Sequence, residues 1–265
     1  MKKSVISMLA IVFISLAGYS QDPGYIADGA LLDGKTIVKA SISGLGVRNF
    51  GFSAERIVNK NLSANVGIRF MPDGGIPMLS TVNKYIQRQN TGEDEIDVES
   101  YLSNIRINSF AFTPELRIYP GKHGYGRGFY IAPYYNYFAF NLSELTVEEE
   151  FDGKMENAVL DGSIKTHSGG ILFGYQWMLG AKKNIIIDWG IFGIHGGKSA
   201  GELNGKTSKN FDNEEQTIIK DNLEDFLSGI PLMKFTTDVE ANSVKITEKG
   251  PWAFLRGSIS VGFRF

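Results

Sequence analysis

Apolar and polar residues alternate with a period of two in eight separate stretches of the chain. They are Lys35–Ser43, Phe50–Val58, Leu62–Met71, Ser109–Tyr119, Phe129–Asn141, Thr166–Met178, Asn184–His195 and Trp252–Phe265. A two-residue period is a strand signal, because successive side chains leave a strand on opposite faces. In the third stretch Leu62, Ala64, Val66, Ile68 and Phe70 share one face, and Ser63, Asn65, Gly67 and Arg69 share the other. In the fourth, Phe110, Phe112, Leu116 and Ile118 oppose Thr113, Glu115 and Arg117. In the last, Leu255, Ile259, Val261, Phe263 and Phe265 oppose Arg256, Ser258, Ser260, Gly262 and Arg264.

Alternation does not say which face is interior. A soluble lipocalin-like barrel fills its centre with apolar side chains, and here that would make a small apolar-ligand carrier with Leu62, Val66 and Phe70 inside. The polar face argues for the reverse. It is dominated by small residues, among them Ser41, Ser43, Ser53, Ser63, Gly67, Gly174, Gly190, Ser258, Ser260 and Gly262. Small side chains suit a crowded lumen. The charged residues of that face carry both signs: Lys39, Glu55, Arg69, Glu115, Arg117, Asp188 and Arg256. Opposite charges inside a narrow tube can pair, and unpaired ones there would be costly. The sequence therefore predicts a lumen charge network of these seven residues, with Tyr130, Tyr134 and Asn136 adding bulk. An eight-stranded tube is barely wide enough for its own side chains, so a plugged lumen is expected.

The connections fit this orientation. With the N-terminus on the periplasmic side, the turns there are Asn59–Asn61, Gly121–Arg127 and Leu179–Lys183, all short. The opposite loops are Gly44–Asn49, Pro72–Asn108, Leu142–Lys165 and Gly196–Pro251, three of them long. Short periplasmic turns opposite long outer loops are the habit of outer-membrane barrels. The fold expected is all-β: an eight-stranded antiparallel up-and-down transmembrane β-barrel with helix-containing extracellular loops. The final run would close it against the first, with Val261, Phe263 and Phe265 as a C-terminal assembly signal for the barrel-assembly machinery. Tyr119, Phe129, Trp177 and Phe265 are expected in an aromatic girdle at the inner membrane boundary.

The first twenty residues stand outside this pattern. Lys2 and Lys3 precede an apolar run from Val5 to Ala17, and Gly18 and Ser20 have the spacing of a signal-peptidase site. A signal peptide over 1–20 is expected, leaving 21–265 as the outer-membrane domain. The run is short of the roughly 20 residues a spanning helix needs.

Three segments strengthen the barrel reading: "FGFSAERIVNKNLSANVGIRF", "FTPELRIYPGKHGYGRGFYIAPYYNYF" and "GILFGYQWMLG". With the closing "SVGFRF", the chain resembles small outer-membrane barrels of the OmpA/OmpX type. Its Ala-Glu-Arg, Thr-Pro-Glu-x-Arg and Gly-Tyr-Gln-Trp patterns resemble more closely a family of outer-membrane barrels of uncharacterised role. The resemblance implies fold and location, and carries over no functional site.

Composition narrows the chemistry. The chain has 265 residues, 43% hydrophobic content, a net charge of -2 and no cysteine. That leaves no thiol nucleophile, disulfide or thiolate metal site. The charge balance gives no reason to expect nucleic acid. No cofactor and no metal site is expected. The acidic groups Glu93, Asp94, Glu95, Asp97, Glu99 and Glu148, Glu149, Glu150, Asp152 lack the spacing of a calcium loop and read as solvated. Gly124, Gly126 and Gly128 lie in a turn with no helix following, and so do not form a phosphate loop.

The loops hold two expected helices. One is Pro77–Gln89. The other lies in "DNEEQTIIKDNLEDFLSGIP", with Asp212 as N-cap, Glu215 as capping-box partner and Ile218, Ile219, Leu223, Phe226 and Leu227 at helical spacing. After it, "MKFTTDVEANSVKITEKG" reads as a hairpin extending the barrel. These loops could cap the mouth or meet a surface protein partner; outer-membrane lipids and lipopolysaccharide are the other partners expected. No catalytic residue is assigned. A lipid-modifying enzyme would need His167 and His195, near Ser168, Ser199 and Glu202, but both histidines are expected on the lipid side, a poor place for a general base. His123 falls in a turn.

Overall fold

The computed structural model describes residues 35–81, 84, 103–151, 154–229 and 232–265. Among the described residues nine strands follow one another: β1 (Thr36–Ser41), β2 (Phe50–Ile57), β3 (Leu62–Gly74), β4 (Arg106–Ile118), β5 (Gly128–Phe151), β6 (Lys154–Leu179), β7 (Ile185–Thr207), β8 (Lys234–Glu240) and β9 (Ser243–Arg264). One helix, α1 (Asn213–Ser228), lies between β7 and β8. All pairings are antiparallel, and the order is β1-β2-β3-β4-β5-β6-β7-β9-β8. β1 also pairs with β9, from Ile37↔Arg264 to Ser41↔Ser260, so eight strands close into a ring.

The ninth strand was not expected as part of the sheet count. β9 is long enough to serve two neighbours on one edge. Its last residues pair with β1, and Ser243–Lys249 pair with β8 as a hairpin. The hairpin read from the sequence is therefore present, and it stands above β1 on the same edge.

Two of the expected outer loops, Leu142–Lys165 and Gly196–Pro251, hold long stretches of strand. β5, β6, β7 and β9 hold 24, 26, 23 and 22 residues. At a rise of ~3.3 Å per residue they are roughly 70–85 Å long. β4 stops pairing with β5 at Arg106↔Ser143, while β5 and β6 stay paired to Phe151↔Lys154. Beyond the ring, these strands and β8 form an open five-stranded wall. Its sequence is polar on both faces, as in "LDGSIK" and "GELNGKT". A strand solvated on both faces keeps its backbone hydrogen bonds but loses the apolar alternation that identifies it. Glu148, Glu149 and Glu150 thus belong to β5 and not to a loop.

Helix α1 begins as its sequence requires. Asp212 accepts hydrogen bonds from the backbone of Glu214 and Glu215, and the Glu215 carboxylate accepts from the Asp212 backbone. Lys209 also donates to Glu215 at 2.8 Å, and these bonds hold the Glu215 carboxyl below its usual range. α1 packs against β8, with Leu227 buried and Ile219 and Leu223 half-buried; Ile218 is exposed. Of the other expected helix, residues 79–81 and 84 are helical and the rest lies outside the described residues. The expected signal peptide, the acidic group Glu93–Glu99 and Asp152 also lie outside them.

The face question has a clear answer within the ring. Val66 is 44% exposed and Phe70 37%, and Phe52, Phe112, Leu116, Phe129, Phe173 and Ile259 are likewise outward and exposed. Lys39, Glu55, Glu115, Arg117 and Asp188 are buried inside. The apolar-lumen alternative is excluded by this arrangement. The interior is layered. At the short-turn end Ile37, Ile57, Met178 and Ile186 are buried together, with Tyr125 of the β4–β5 turn packed against them. That turn tucks inward at Gly124 (φ 59°) and Gly126 (φ 78°). A Cβ on Gly124 would sit 2.3 Å from the Lys60 carbonyl, so only glycine lets the turn approach this closely. The next layer is polar.

Two placements differ from expectation. Tyr119 is fully buried inside the ring and takes no part in an aromatic girdle. It continues the inward parity of Glu115 and Arg117, and its hydroxyl finds a carboxylate there. The outward aromatics at that end are instead Tyr175 and Trp177, with Phe129 against Phe173 and Phe263 beside Phe265, and Trp189 stacks on Trp177 from further along the ring. His195 faces the interior and not the outer surface expected for it, because a register shift between Gly190 and Gly193 inverts the parity of the strand beyond it.

Candidate functional site: the interior of the ring

Each of the eight ring strands supplies a polar group to one buried network. Lys39 of β1 donates to Glu55 of β2 at 2.6 Å, to Asp188 of β7 at 2.7 Å and to Gln176 of β6 at 2.9 Å. Arg117 of β4 donates to Asp188 at 2.7 Å, to Glu55 at 3.2 Å and to Glu115 at 2.9 Å. Arg256 of β9 donates to the other oxygen of Glu115 at 2.5 Å. Ser63 and Asn65 of β3 donate to Glu55 and Glu115 at 2.6 and 3.0 Å. Tyr130 of β5 donates to Asp188 at 2.8 Å, and Tyr119 to Glu55 at 2.7 Å.

Three cations face three carboxylates here, so the network is neutral in sum. That is a physical requirement, because a stranded charge at this depth costs several kcal/mol, on the order of 3–5. Neutral groups take up the remaining lone pairs. The Arg117 guanidinium also lies 4.4 Å over the Tyr130 ring. Tyr130 can cross the interior only because position 174 is glycine: a Cβ there would lie 2.3 Å from the phenol ring. Gln176 ties the network to the turn below by donating to the Gly126 carbonyl at 2.6 Å.

Six of the seven expected charges are thus joined by direct ion pairs. Arg69 is not. It lines a cavity above the network together with Ser41, Ser53, Thr113, Asn136 and Ser258, enclosing about 80 Å³. The sequence reading missed Gln176, Ser63 and Asn65 as network members. Their parity places them inside, but a neutral polar residue on a polar face gives no separate signal.

The histidines do not form a joint site. His195 is hydrogen-bonded to Tyr134 inside the ring at 2.9 Å, while His167 is hydrogen-bonded to Tyr135 on the outer surface at 2.5 Å. Ser199 donates to Glu248 at 2.7 Å, Ser168 to the Asn136 carbonyl, and Glu202 pairs with Lys245. No Ser–His–acid hydrogen-bond chain occurs among the described residues. His123 is hydrogen-bonded to Arg127 in the turn.

Val261 and Phe263, expected as part of an assembly signal, point outward and are exposed, and Phe265 is half-buried beside Phe263.

No curated protein matches its sequence. Two of the solved structures that share its outline weakly come from Acinetobacter baumannii. The crystal structure of Acinetobacter baumannii CarO is 11% identical with a TM-score of 0.36, covering 90% of this chain and 100% of that one. That of Acinetobacter baumannii CarO2 is 13% identical with a TM-score of 0.33, covering 88% and 98%. Residues 80–199 match a family described as a protein of unknown function, DUF3575.

Proposed function

We propose that the chain is an integral outer-membrane β-barrel of non-enzymatic, surface-interaction type, with a lumen closed to bulk diffusion. One observation carries this reading: the ring exposes its large apolar side chains and buries its ions. Water-soluble proteins rarely expose contiguous apolar surface of this kind. Lipid is the solvent that suits it. The polar lining meets the other half of the requirement, since a closed sheet leaves no backbone group unpaired in hydrocarbon.

A spanning strand needs about 9–11 residues, so β5, β6, β7 and β9 have roughly twice that requirement. The surplus rises beyond the bilayer as the five-stranded wall, carrying α1. Its β5 and β8 edges are the natural contact surface for a partner, because edge strands present unpaired backbone groups. Lipopolysaccharide surrounds the same region in this reading.

The closed lumen has its own test. The ionic network and the apolar layer beneath it support a lumen without a continuous water path. In planar bilayers the purified chain is expected to give no stable single-channel steps above background. Large, stable steps would contradict the closed lumen.

A further inference from the structure

Above the ionic network, the interior of the ring changes character. Contacts between strands that are not sheet neighbours must cross the lumen, and four such contacts define a second chamber. Tyr134 of β5 is hydrogen-bonded to His195 of β7. The Arg256 guanidinium of β9 lies 4.6 Å over the Tyr134 ring. Phe138 of β5 stacks on Trp252 of β9 at 6.3 Å. Arg69 of β3 comes close to Arg256, and both line the same two pockets. Trp252 stacks on Phe254 at 6.2 Å, and Phe254 on His195 at 6.5 Å. Arg69, Arg256, His195, Phe138, Trp252 and Phe254 line a pocket of about 270 Å³.

Three features of this chamber have no structural purpose in the network below. Arg69 makes no ion pair with a described residue, although it faces a second guanidinium. Arg256 gives one nitrogen to Glu115, yet its Nη1 is buried with no hydrogen-bond partner. His195 gives Nδ1 to Tyr134, yet its Nε2 is buried and equally without a partner. Buried donors and acceptors are normally paired, and orphans gathered on one pocket mark a place for a ligand. The two guanidinium groups also need an anion more than they need each other. The aromatic stack beside them is a flat apolar surface that the charged groups do not use.

We propose that this chamber binds a small amphiphilic anion. Its phosphate or carboxylate group sits between Arg69 and Arg256 within reach of His195, and its flat apolar part lies against Phe138, Trp252 and Phe254. Guanidinium groups suit such oxyanions because their fork of donors matches two acceptor oxygens. The volume is at the small end for ligand pockets and admits a small molecule rather than a whole lipid. The inference concerns the inner face alone and stands apart from which solvent meets the outer one.

The test uses the full chain, folded in a neutral maltoside detergent, with phenyl phosphate as the probe in titration calorimetry. Saturable binding is expected at one site per chain. Inorganic phosphate, which lacks the ring, and phenol, which lacks the charge, should each bind at least about tenfold more weakly, one decade of affinity. Arg69→Gln and Trp252→Leu should each weaken phenyl phosphate by a similar factor, while Trp189→Leu on the outer face should not. A second measurement needs no pocket variant. With Trp177 and Trp189 replaced by Phe, 4-nitrophenyl phosphate should quench the remaining Trp252 fluorescence saturably, and inorganic phosphate should compete at high concentration. The proposal is overturned if phenyl phosphate gives no saturable binding and 4-nitrophenyl phosphate no saturable quenching. It is equally overturned if phenol binds as well as phenyl phosphate, or if folded Arg69→Gln and Trp252→Leu bind as the parent does.

Discussion

Asp188→Asn is expected to destabilise the folded chain by on the order of 3–5 kcal/mol. Asp188 accepts from Lys39, Arg117 and Tyr130 at once, and all three donors are buried. Removing its charge leaves three cations against two carboxylates, in a place buried from bulk solvent. The unpaired positive charge, more than the lost contact, sets the size of the effect. Restoring the balance should therefore recover much of the loss. Lys39→Met combined with Asp188→Asn removes one charge of each sign, and the pair should be less harmful than the sum of the single changes, by about 0.5–3 kcal/mol of coupling. Urea unfolding of the reconstituted chain, followed by the folded band on an unheated gel, measures both. Additive single effects would show that the network is a set of independent contacts.

Ile259→Arg is expected to cost about 2–4 kcal/mol, the penalty for a basic side chain on the lipid face near the bilayer midplane. Ile259 is 42% exposed on β9, paired with Trp189, roughly midway along the ring. In a water-soluble protein, a charged residue at so open a site would change stability by no more than about 0.5 kcal/mol in either direction. The two solvents thus predict different outcomes for one substitution. Unfolding in lipid vesicles reads the difference. An arginine that is neutral at 259, and neutral again at Phe112 on the opposite side of the ring, would mean that acyl chains do not touch this face.

Much of this was legible in the sequence, for one reason: in a closed sheet, parity along a strand fixes the face. Lys39, Glu55, Glu115, Arg117, Asp188 and Arg256 could be assigned to one interior without knowing a single contact. Parity also held the answer for Tyr119, which follows Glu115 and Arg117 by even steps. A tyrosine at a strand end reads equally as a membrane-boundary residue, and that second rule obscured the first. Trp252 and Phe254 share the parity of Arg256 and Ser258 and were hidden in the same way.

His195 was illegible for a different reason. The bulge between Gly190 and Gly193 adds a residue to β7, and every side chain beyond it changes face. Glycines mark where a bulge can form without saying that one does. The tall ends of β5, β6, β7 and β9 were illegible because their sequences are polar on both faces. Their polar residues satisfy no periodic rule, and only pairing to the neighbouring strand holds them extended. The helix, by contrast, carried its own start signal in Asp212 and Glu215.

The central claim is that the ring turns its oily side chains to acyl tails and its ions to its own axis. Cell fractionation tests it most directly, with extraction of the chain and comparison of heated and unheated samples on a gel. The account predicts a protein of the outer-membrane fraction that leaves it only with detergent and changes mobility on boiling. A monodisperse, folded chain recovered from the periplasm in plain buffer would contradict it.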